Sequence, residues 1–533
     1  MSIVMKHPLA FIAILSCLLL MDTHLLRSQD QNQLATLSKY IEFKMQRDFI
    51  PGLAACIIRQ DGIVWSRGFG FQNLDSHIQM TSQSVIGTAS VSKLITAIAI
   101  MQLHERKKLN VDDPINKYLP FKIQHPKYPD IDITISQLLN HTASTCNGPS
   151  LWRCYSCEKQ PLSQRQWVQA YFLPDGKYYH QDGNFGTSKP GEQFLYSNAG
   201  YALLAYIVEA VSGLPYNQYC VSNIFSPLKI VGTSFNVADI RKDILSTMYS
   251  HGYNMDLERD LMSPDIDCAK ISLGNYFFPL CNYTTSTLGA TGMYSSVEQL
   301  ARLLIALMND GRYEGNSILT KKSVARILGP NVDSQLLPGQ FAAFGLGGYA
   351  MRLNNGALVW GHTGADPGQS SFLLFNTETK VGAIVLANRF VDIRDLIEWI
   401  FAEGIKEYSV TPLEQLGSMW KQYGKDQIQH KVTINVLPNY LPGNSQLFVI
   451  GNYRSFGAWV SSGVPLSPQK SRDWETSFFL PDSTKLEFKI TRGGMDKQAV
   501  TMDGKVLPNF SFIVIKDTVV HIIVEDWKDQ VQQ

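Results

Sequence analysis

The segment that follows Ser90-Val91-Ser92-Lys93 is apolar on every side. Leu94, Ile95, Ala97, Ile98, Ala99, Ile100, Met101 and Leu103 leave no polar stripe. A helix of this kind has to be buried in a large core rather than laid on a surface. Gly87 and Thr88 suit an entry turn near Ser90, and Glu105-Arg106-Lys107-Lys108 suits a solvated exit. Ser90 and Lys93 stand one turn apart and share a helix face. A lysine at the wall of such a helix is desolvated, which lowers its pKa. A neutral lysine can take the Ser90 proton and make the hydroxyl a usable nucleophile. The same residues also read as an N-cap serine with a lysine snorkelling outward, so the chemistry depends on what the rest of the chain supplies.

A length of 533 residues predicts about two or three domains. With 45% hydrophobic and 17% charged residues the chain is globular. The formal charge of +1, from 47 basic and 46 acidic residues, gives no footprint for nucleic acid or an anionic membrane. Lys6 precedes an apolar run from Pro8 to Met21, and polarity returns at Asp22. That run is short for a spanning helix and suits a signal-peptide core, predicted over residues 1–28, with an uncleaved anchor as the rival. No later stretch is apolar enough to span a bilayer, so a secreted, extracellular protein is expected.

Eight cysteines occur, of which Cys17 lies in the predicted signal, leaving seven. An odd number leaves at least one thiol free or paired with another chain. Cys154-Tyr155-Ser156-Cys157 reads as half a zinc site, but no second pair at matching spacing follows. Disulfides are therefore expected rather than a metal, with Cys268 to Cys281 as the first pairing and Cys146 to Cys154 or Cys157 as the second. Asn140, Asn282 and Asn509 each begin a glycosylation sequon.

Along the chain, Leu34 to Met45 has helical spacing, and Leu53–Arg59 and Ile63–Phe69 flank Asp61-Gly62 as a hairpin. A short helix is predicted from Ile135 to Asn140. Residues 142–191 are rich in Gly, Pro, Ser, Asn and aromatics and read as a long covering loop. Pro190-Gly191 then makes a turn, and a helical pattern resumes from Tyr201 to Val211. Tyr196 and Asn198 thus lie just before a buried helix, where a tyrosine beside Lys93 can relay a proton and an asparagine amide can bind a substrate carbonyl. A packed tyrosine and a turn asparagine are the plainer reading. A helix is predicted over Ser296–Leu307, strands open at Phe344–Tyr349, and Phe372–Phe375 and Val381–Ala387 meet across Asn376-Thr377-Glu378. A helix from Leu396 to Tyr408 ends the unit. Between these, in Gly361-His362-Thr363-Gly364-Ala365, Gly364 allows close backbone approach and the amides of Ala365 and Ser90 are candidate oxyanion donors. His362 is expected opposite them, as a donor towards a carboxylate or leaving group.

Ser90-x-x-Lys93, Tyr196-Ser197-Asn198 and His362-Thr363-Gly364, in that order, resemble the serine beta-lactamase and penicillin-binding superfamily, in the branch of class C beta-lactamases, D-alanyl-D-alanine carboxypeptidases and related esterases. Leu109–Pro114, Leu138-Leu139-Asn140-His141-Thr142 and Gly292-Met293-Tyr294-Ser295 add to a resemblance covering roughly residues 31–408. It implies an α/β fold, an antiparallel sheet flanked by helices with an all-helical insert between its halves. It also implies acyl transfer through an acyl-serine without metal or cofactor. By position, Ser90 is then the nucleophile, Lys93 the base, Tyr196 the proton relay and Asn198 a substrate clamp, with His362, Thr363, Gly364 and Ala365 lining the substrate. Many members have Lys-Thr-Gly at the third station; His362 in its place argues against efficient beta-lactam hydrolysis.

Residues 411–428 read as a linker, and from 429 to 533 short alternating strands predict an all-β sandwich. Phe456-Gly457-Ala458-Trp459, Trp474, the run from Leu480 to Lys489 and Glu525-Asp526-Trp527 resemble a starch-binding-type carbohydrate module. That resemblance implies a glycan partner stacked on Trp459. The second platform tryptophan has no counterpart, since Gly493-Gly494-Met495 stands there, and a spacer sandwich is the alternative. The expected protein is a secreted serine hydrolase of small-molecule or peptide esters or amides. The rival is a secreted matrix or binding protein on the same scaffold. Neither Gly-x-Ser-x-Gly nor His-Glu-x-x-His occurs, so lipase-type and zinc-protease mechanisms are set aside.

Overall fold

The computed structural model describes residues 37–45, 48–151, 155–157, 162–251, 277–404, 429–443, 445–451, 464–469, 473–481, 484–493 and 497–530. The predicted signal at 1–28, the linker at 411–428, and Cys154, Cys268 and Trp459 lie outside them. Among the described residues no helix is long and apolar enough to cross a membrane. The chain divides into two compact units, 1–248 with 282–407, and 249–281 with 408–533. Residues 249–281 therefore group apart from the hydrolase span of 31–410 that the sequence predicts. The strands Met248–His251 and Phe277–Leu280 pair with each other as a two-stranded ribbon and do not join the main sheet.

The first unit is built on an eight-stranded antiparallel sheet. Its strands are β1 (Gly52–Arg59), β2 (Gly62–Asn73), β3 (Ile78–Gln79), β4 (Ala343–Phe344), β5 (Tyr349–Arg352), β6 (Leu358–Asp366), β7 (Gln369–Asn376) and β8 (Val381–Ala387). They lie in the order β4-β5-β6-β7-β8-β1-β2-β3, so the chain's first hairpin closes against its last strand, Leu53 opposite Ala387 and Ile57 opposite Ala383. The predicted hairpin at Asp61-Gly62 is present as β1–β2. Alternate residues of β1 serve two cores. Ala54, Cys56 and Ile58 face the helical side, and Leu53, Ala55 and Ile57 face a smaller cluster with Leu37, Ile41, Leu396 and Ile400. That double burial explains why β1 reads as a continuous apolar run.

On the helical side, α1 (Ser92–Glu105) is buried from Ser92 to Leu103, as its all-round apolar sequence requires. Around it stand α2 (Ile135–Leu139), α3 (Gln164–Phe172), α4 (Asn198–Ser212) and α5 (Val297–Met308). Helix α3 falls inside the stretch expected to be loop. Its start carries a capping box, Ser163 with Gln166, and its Trp167, Val168, Tyr171 and Phe172 are buried. Asn140 is buried as well. Its Nδ2 donates to Asn331 and its Oδ1 accepts from Thr142, so the sequon there is closed in the folded chain. Asn282 is half-buried and Asn509 exposed.

Cys281 and Cys157 are both disulfide-bonded. Cys56, Cys146 and Cys220 are free thiols. The expected pairing of Cys146 is thus overturned: its backbone is tied to Asn184 across the bridge of Thr145 to Phe185, and its sulfur stays unbridged.

The tail carries two four-stranded sheets around one core. Val432, Ile434, Leu447, Val449, Leu486, Phe488 and Trp527 belong to that core. Strands at Gln429–Pro438, Phe448–Gly451, Trp474–Pro481, Thr484–Thr491, Phe510–Val514 and Thr518–Val524 are the short strands that the alternating pattern of this stretch predicts. The first and last of these pair in parallel.

Candidate active site

Three segments converge on Ser90. The first is its own turn, a short 3-10 helix at Ala89–Val91 that leads into α1. The second is the start of α4, capped by Ser197, whose hydroxyl accepts from the Gly200 N–H. The third is the outer edge of β6. Strand β5 pairs with β6 only as far as Gly361, which leaves residues 362–366 with one free edge. Thr363 N–H points out of that edge to Tyr349 Oη at 2.9 Å. Ala365 N–H, two residues on, faces the same way. Gly364 makes the approach feasible, since a Cβ there would sit 2.5 Å from the Thr88 carbonyl oxygen and 2.9 Å from Ser90 N.

Lys93 is fully buried and its Nζ has three near partners. It donates to Asn198 Oδ1 at 2.8 Å and to the Ala290 carbonyl at 2.7 Å, and it lies 2.9 Å from Ser90 Oγ. Two of these partners are carbonyl oxygens that only accept. A neutral amine therefore spends both N–H groups on them and aims its lone pair at the Ser90 hydroxyl. Burial pulls the Lys93 pKa down to about 7, opposed by the nearby Asp366 carboxylate. Tyr196 shares a hydrogen bond with Ser90, and Lys93 Nζ stands 5.0 Å from the centre of its ring. Burial raises the phenol well above its ordinary value, so it acts as O–H, not as phenolate.

The structure thus places Lys93, Tyr196, Asn198 and Gly364 around Ser90, with Ala365 next on the free edge of β6 and His362 two residues before Gly364 on the same strand. The Nδ1 of His362 lies 2.5 Å from the Thr363 carbonyl oxygen, which makes Nδ1 the protonated nitrogen and leaves Nε2 an acceptor. Burial, then the Lys93 charge, pushes its pKa down to about 3. His362 is then a neutral ring whose buried Nε2 finds no hydrogen-bond partner among the described residues. Thr363 is tied to Tyr349. Tyr349 Oη accepts from Thr363 N–H at 2.9 Å, and the tyrosine and threonine hydroxyls share a second hydrogen bond at 2.5 Å.

Sequence reasoning missed three further participants. Asn147 Oδ1 accepts from Asn198 N–H at 2.8 Å and so fixes the start of α4; its Asn147-Gly148 pair was the available turn signal. Asp366 is buried beside Lys93, held by Thr291 and by Tyr155 Oη at 3.3 Å. Gln369 binds the amide of Ala89 at 3.1 Å. Among the described residues no cluster of metal-ligating side chains occurs.

Comparison with known proteins agrees with this geometry. A family model described as starch binding domain matches residues 429–520. Protein flp of Staphylococcus aureus (strain COL) is 25% identical over 406 residues, covering 75% of this chain and 71% of that protein. The D-alanyl-D-alanine-carboxypeptidase/endopeptidase AmpH of Escherichia coli (strain K12) is 23% identical over 399 residues, 72% of this chain and 92% of its own. Among solved structures, an octameric penicillin-binding protein homologue from Pyrococcus abyssi shares the fold, with a TM-score of 0.55 at 19% identity over 85% of this chain and 98% of that one. The Beta-lactamase family model matches residues 37–403, more than half of the sequence, and the chain belongs to that family of serine hydrolases.

Proposed function

We propose that the protein is a secreted serine hydrolase that cleaves esters or amides through an acyl-Ser90 intermediate. The observation that carries this is the environment of Lys93, a buried amine whose two N–H groups are taken by carbonyls and whose third direction is the nucleophile. Ser90 Oγ attacks the acyl carbon while its proton passes to Lys93 Nζ. The carbonyl oxygen becomes an oxyanion facing the N–H groups of Ser90 and Ala365. Its collapse breaks the bond to the alcohol or amine, which leaves with the proton relayed through Tyr196. Water then repeats the sequence, releasing the acid and restoring Ser90. Neutral His362 offers no charge to a substrate carboxylate, which favours uncharged esters and amides over beta-lactams. Two disulfide-bonded cysteines support an oxidising, extracellular setting.

Incubation of the full chain with a fluorophosphonate or an activated ester, followed by peptide mass analysis, tests the reading. Ser90 is expected to carry the adduct in the native protein and not in Lys93→Ala. A folded protein that takes no label from several ester and amide probes returns the chain to the matrix-protein reading.

The tail is proposed to bind an α-glucan. Its match to the starch-binding model supports this, as does Trp459 at a stacking position of that module type. The full chain is expected to be retarded on amylose, and Trp459→Ala to run free at unchanged Ser90 labelling. Equal mobility of the two proteins leaves the sandwich as a spacer.

A further inference from the structure

The residue before the nucleophile is in an unusual conformation. Ala89 has φ of +46° and is buried. For a non-glycine residue this left-handed backbone is unfavourable unless the surroundings enforce it. They do so through a single peptide unit. Its carbonyl, Thr88 O, accepts from Ser371 Oγ at 2.7 Å, and its N–H, on Ala89, donates to Gln369 Oε1 at 3.1 Å. Gln369 and Ser371 are alternate residues of β7, so both side chains leave the same face of one strand.

The clamp is itself fixed. Gln369 is buried, and its Nε2 donates to Tyr283 Oη, which donates in turn to the Pro367 carbonyl at 3.1 Å. Space has been cleared for it at both ends. A Cβ on Gly87 would lie 2.0 Å from Gln369 Oε1, and one on Gly364 would lie 2.4 Å from Ser371 Oγ. One step further back, Thr88 N–H and Oγ1 both donate to the Met293 carbonyl, at 2.8 and 3.0 Å.

We propose that Gln369 and Ser371 are positioning residues that clamp the Thr88–Ala89 peptide plane and thereby aim the Ser90 hydroxyl and N–H. The proposal rests on Ser90 being the acylated residue. Its physical content is that the hairpin of β6 and β7 carries one oxyanion donor, Ala365 N–H, and also grips the peptide that orients the other, Ser90 N–H. The separation of the two donors is then set by one rigid element, which is the kind of preorganisation that acyl transfer needs.

The test uses the full chain and the rate of Ser90 labelling by an activated ester. Gln369→Met keeps the volume and loses the acceptor; Ser371→Ala loses the donor at the other end. Each is expected to label about tenfold to a hundredfold more slowly at an unchanged half-saturating probe concentration. Gly87→Ala, which pushes the Gln369 carboxamide aside without deleting it, is expected to do the same and covers the case in which Gln369→Met does not fold. The decisive variant is Ala89→Gly in the Gln369→Met background. Glycine enters the left-handed region without penalty, so labelling is expected to recover by at least about threefold. Wild-type rates in folded Gln369→Met and Ser371→Ala overturn the proposal, and so does the absence of recovery in the double variant. If the wild-type protein takes no label, the hydrolase reading has failed separately. The crystal structure of Gln369→Met then decides about the clamp, and Ala89 still at positive φ overturns it.

Discussion

Lys93 has two carbonyl oxygens to satisfy and one hydroxyl to serve, and its proton decides which state the site is in. Burial holds its pKa at about 7 against the pull of Asp366. The acid limb of the pH–acylation profile is therefore expected near pH 7, with labelling rising as the amine loses its proton. Asp366→Asn removes the carboxylate that opposes this lowering, so the limb is expected to move to lower pH. A limb that stays in place or moves up contradicts the charge arrangement. The sign for stability is opposite to that of a paired lysine. An unfolded lysine keeps its proton to about pH 10.4, whereas the native one loses it from about 7. Stability from this group is thus lowest below pH 7 and rises across that window. Ser90 and Lys93 were legible in the sequence because helical spacing puts them on one face. Asp366 and Gln369 were not, since their approach to the nucleophile is a product of strand order, and nothing in the local text of a β-hairpin records which loop will pack on its tip.

Helix α4 shows the same boundary between local and non-local information. Its apolar periodicity and the turn before it are local, and the sequence reading places the helix within three residues of its start at Asn198. What makes that start part of the site is Asn147, which comes from the covering stretch and accepts from the N–H groups of Asn198 and Ala199. Asn147 is exposed, so Asn147→Ala is expected to cost about 1 kcal/mol of stability or less. Tyr196 and Asn198 flank the bond it makes, and acylation is expected to slow severalfold in the same variant. Thermal unfolding measured beside the labelling rate separates the two effects. A proportionate loss of both marks Asn147 as an ordinary helix cap. The covering stretch itself was misread as loop because the Ser163–Gln166 capping box is spelled with glutamine amid other polar residues, and helix α3 buries its aromatic face against α4 rather than displaying a long pattern.

At the scale of the whole molecule, the double-sided burial of β1 couples the two ends of the hydrolase unit, since this early strand is hydrogen-bonded to β8. Composition and alternation announced both the mixed α/β unit and the all-β tail; the grouping of residues 249–281 with the second unit was invisible, because no linker-like text marks their borders. The free thiols turn this architecture into something measurable. Cys56 lies in the middle of β1 and Cys220 at the end of the Tyr216–Cys220 helix, both fully buried and both with thiols pushed up by burial, while Cys146 is only half-buried. A buried thiol is closed to a maleimide until its surroundings open. Cys146 is therefore expected to react first and Cys56 last, with Cys56 matching Cys146 only if the central sheet is not a cooperative unit. The protein carries internal clocks in its own cysteines. Read by mass against time, they report how often the helical side breathes and how often the sheet that joins the chain's beginning to the end of its hydrolase unit comes apart.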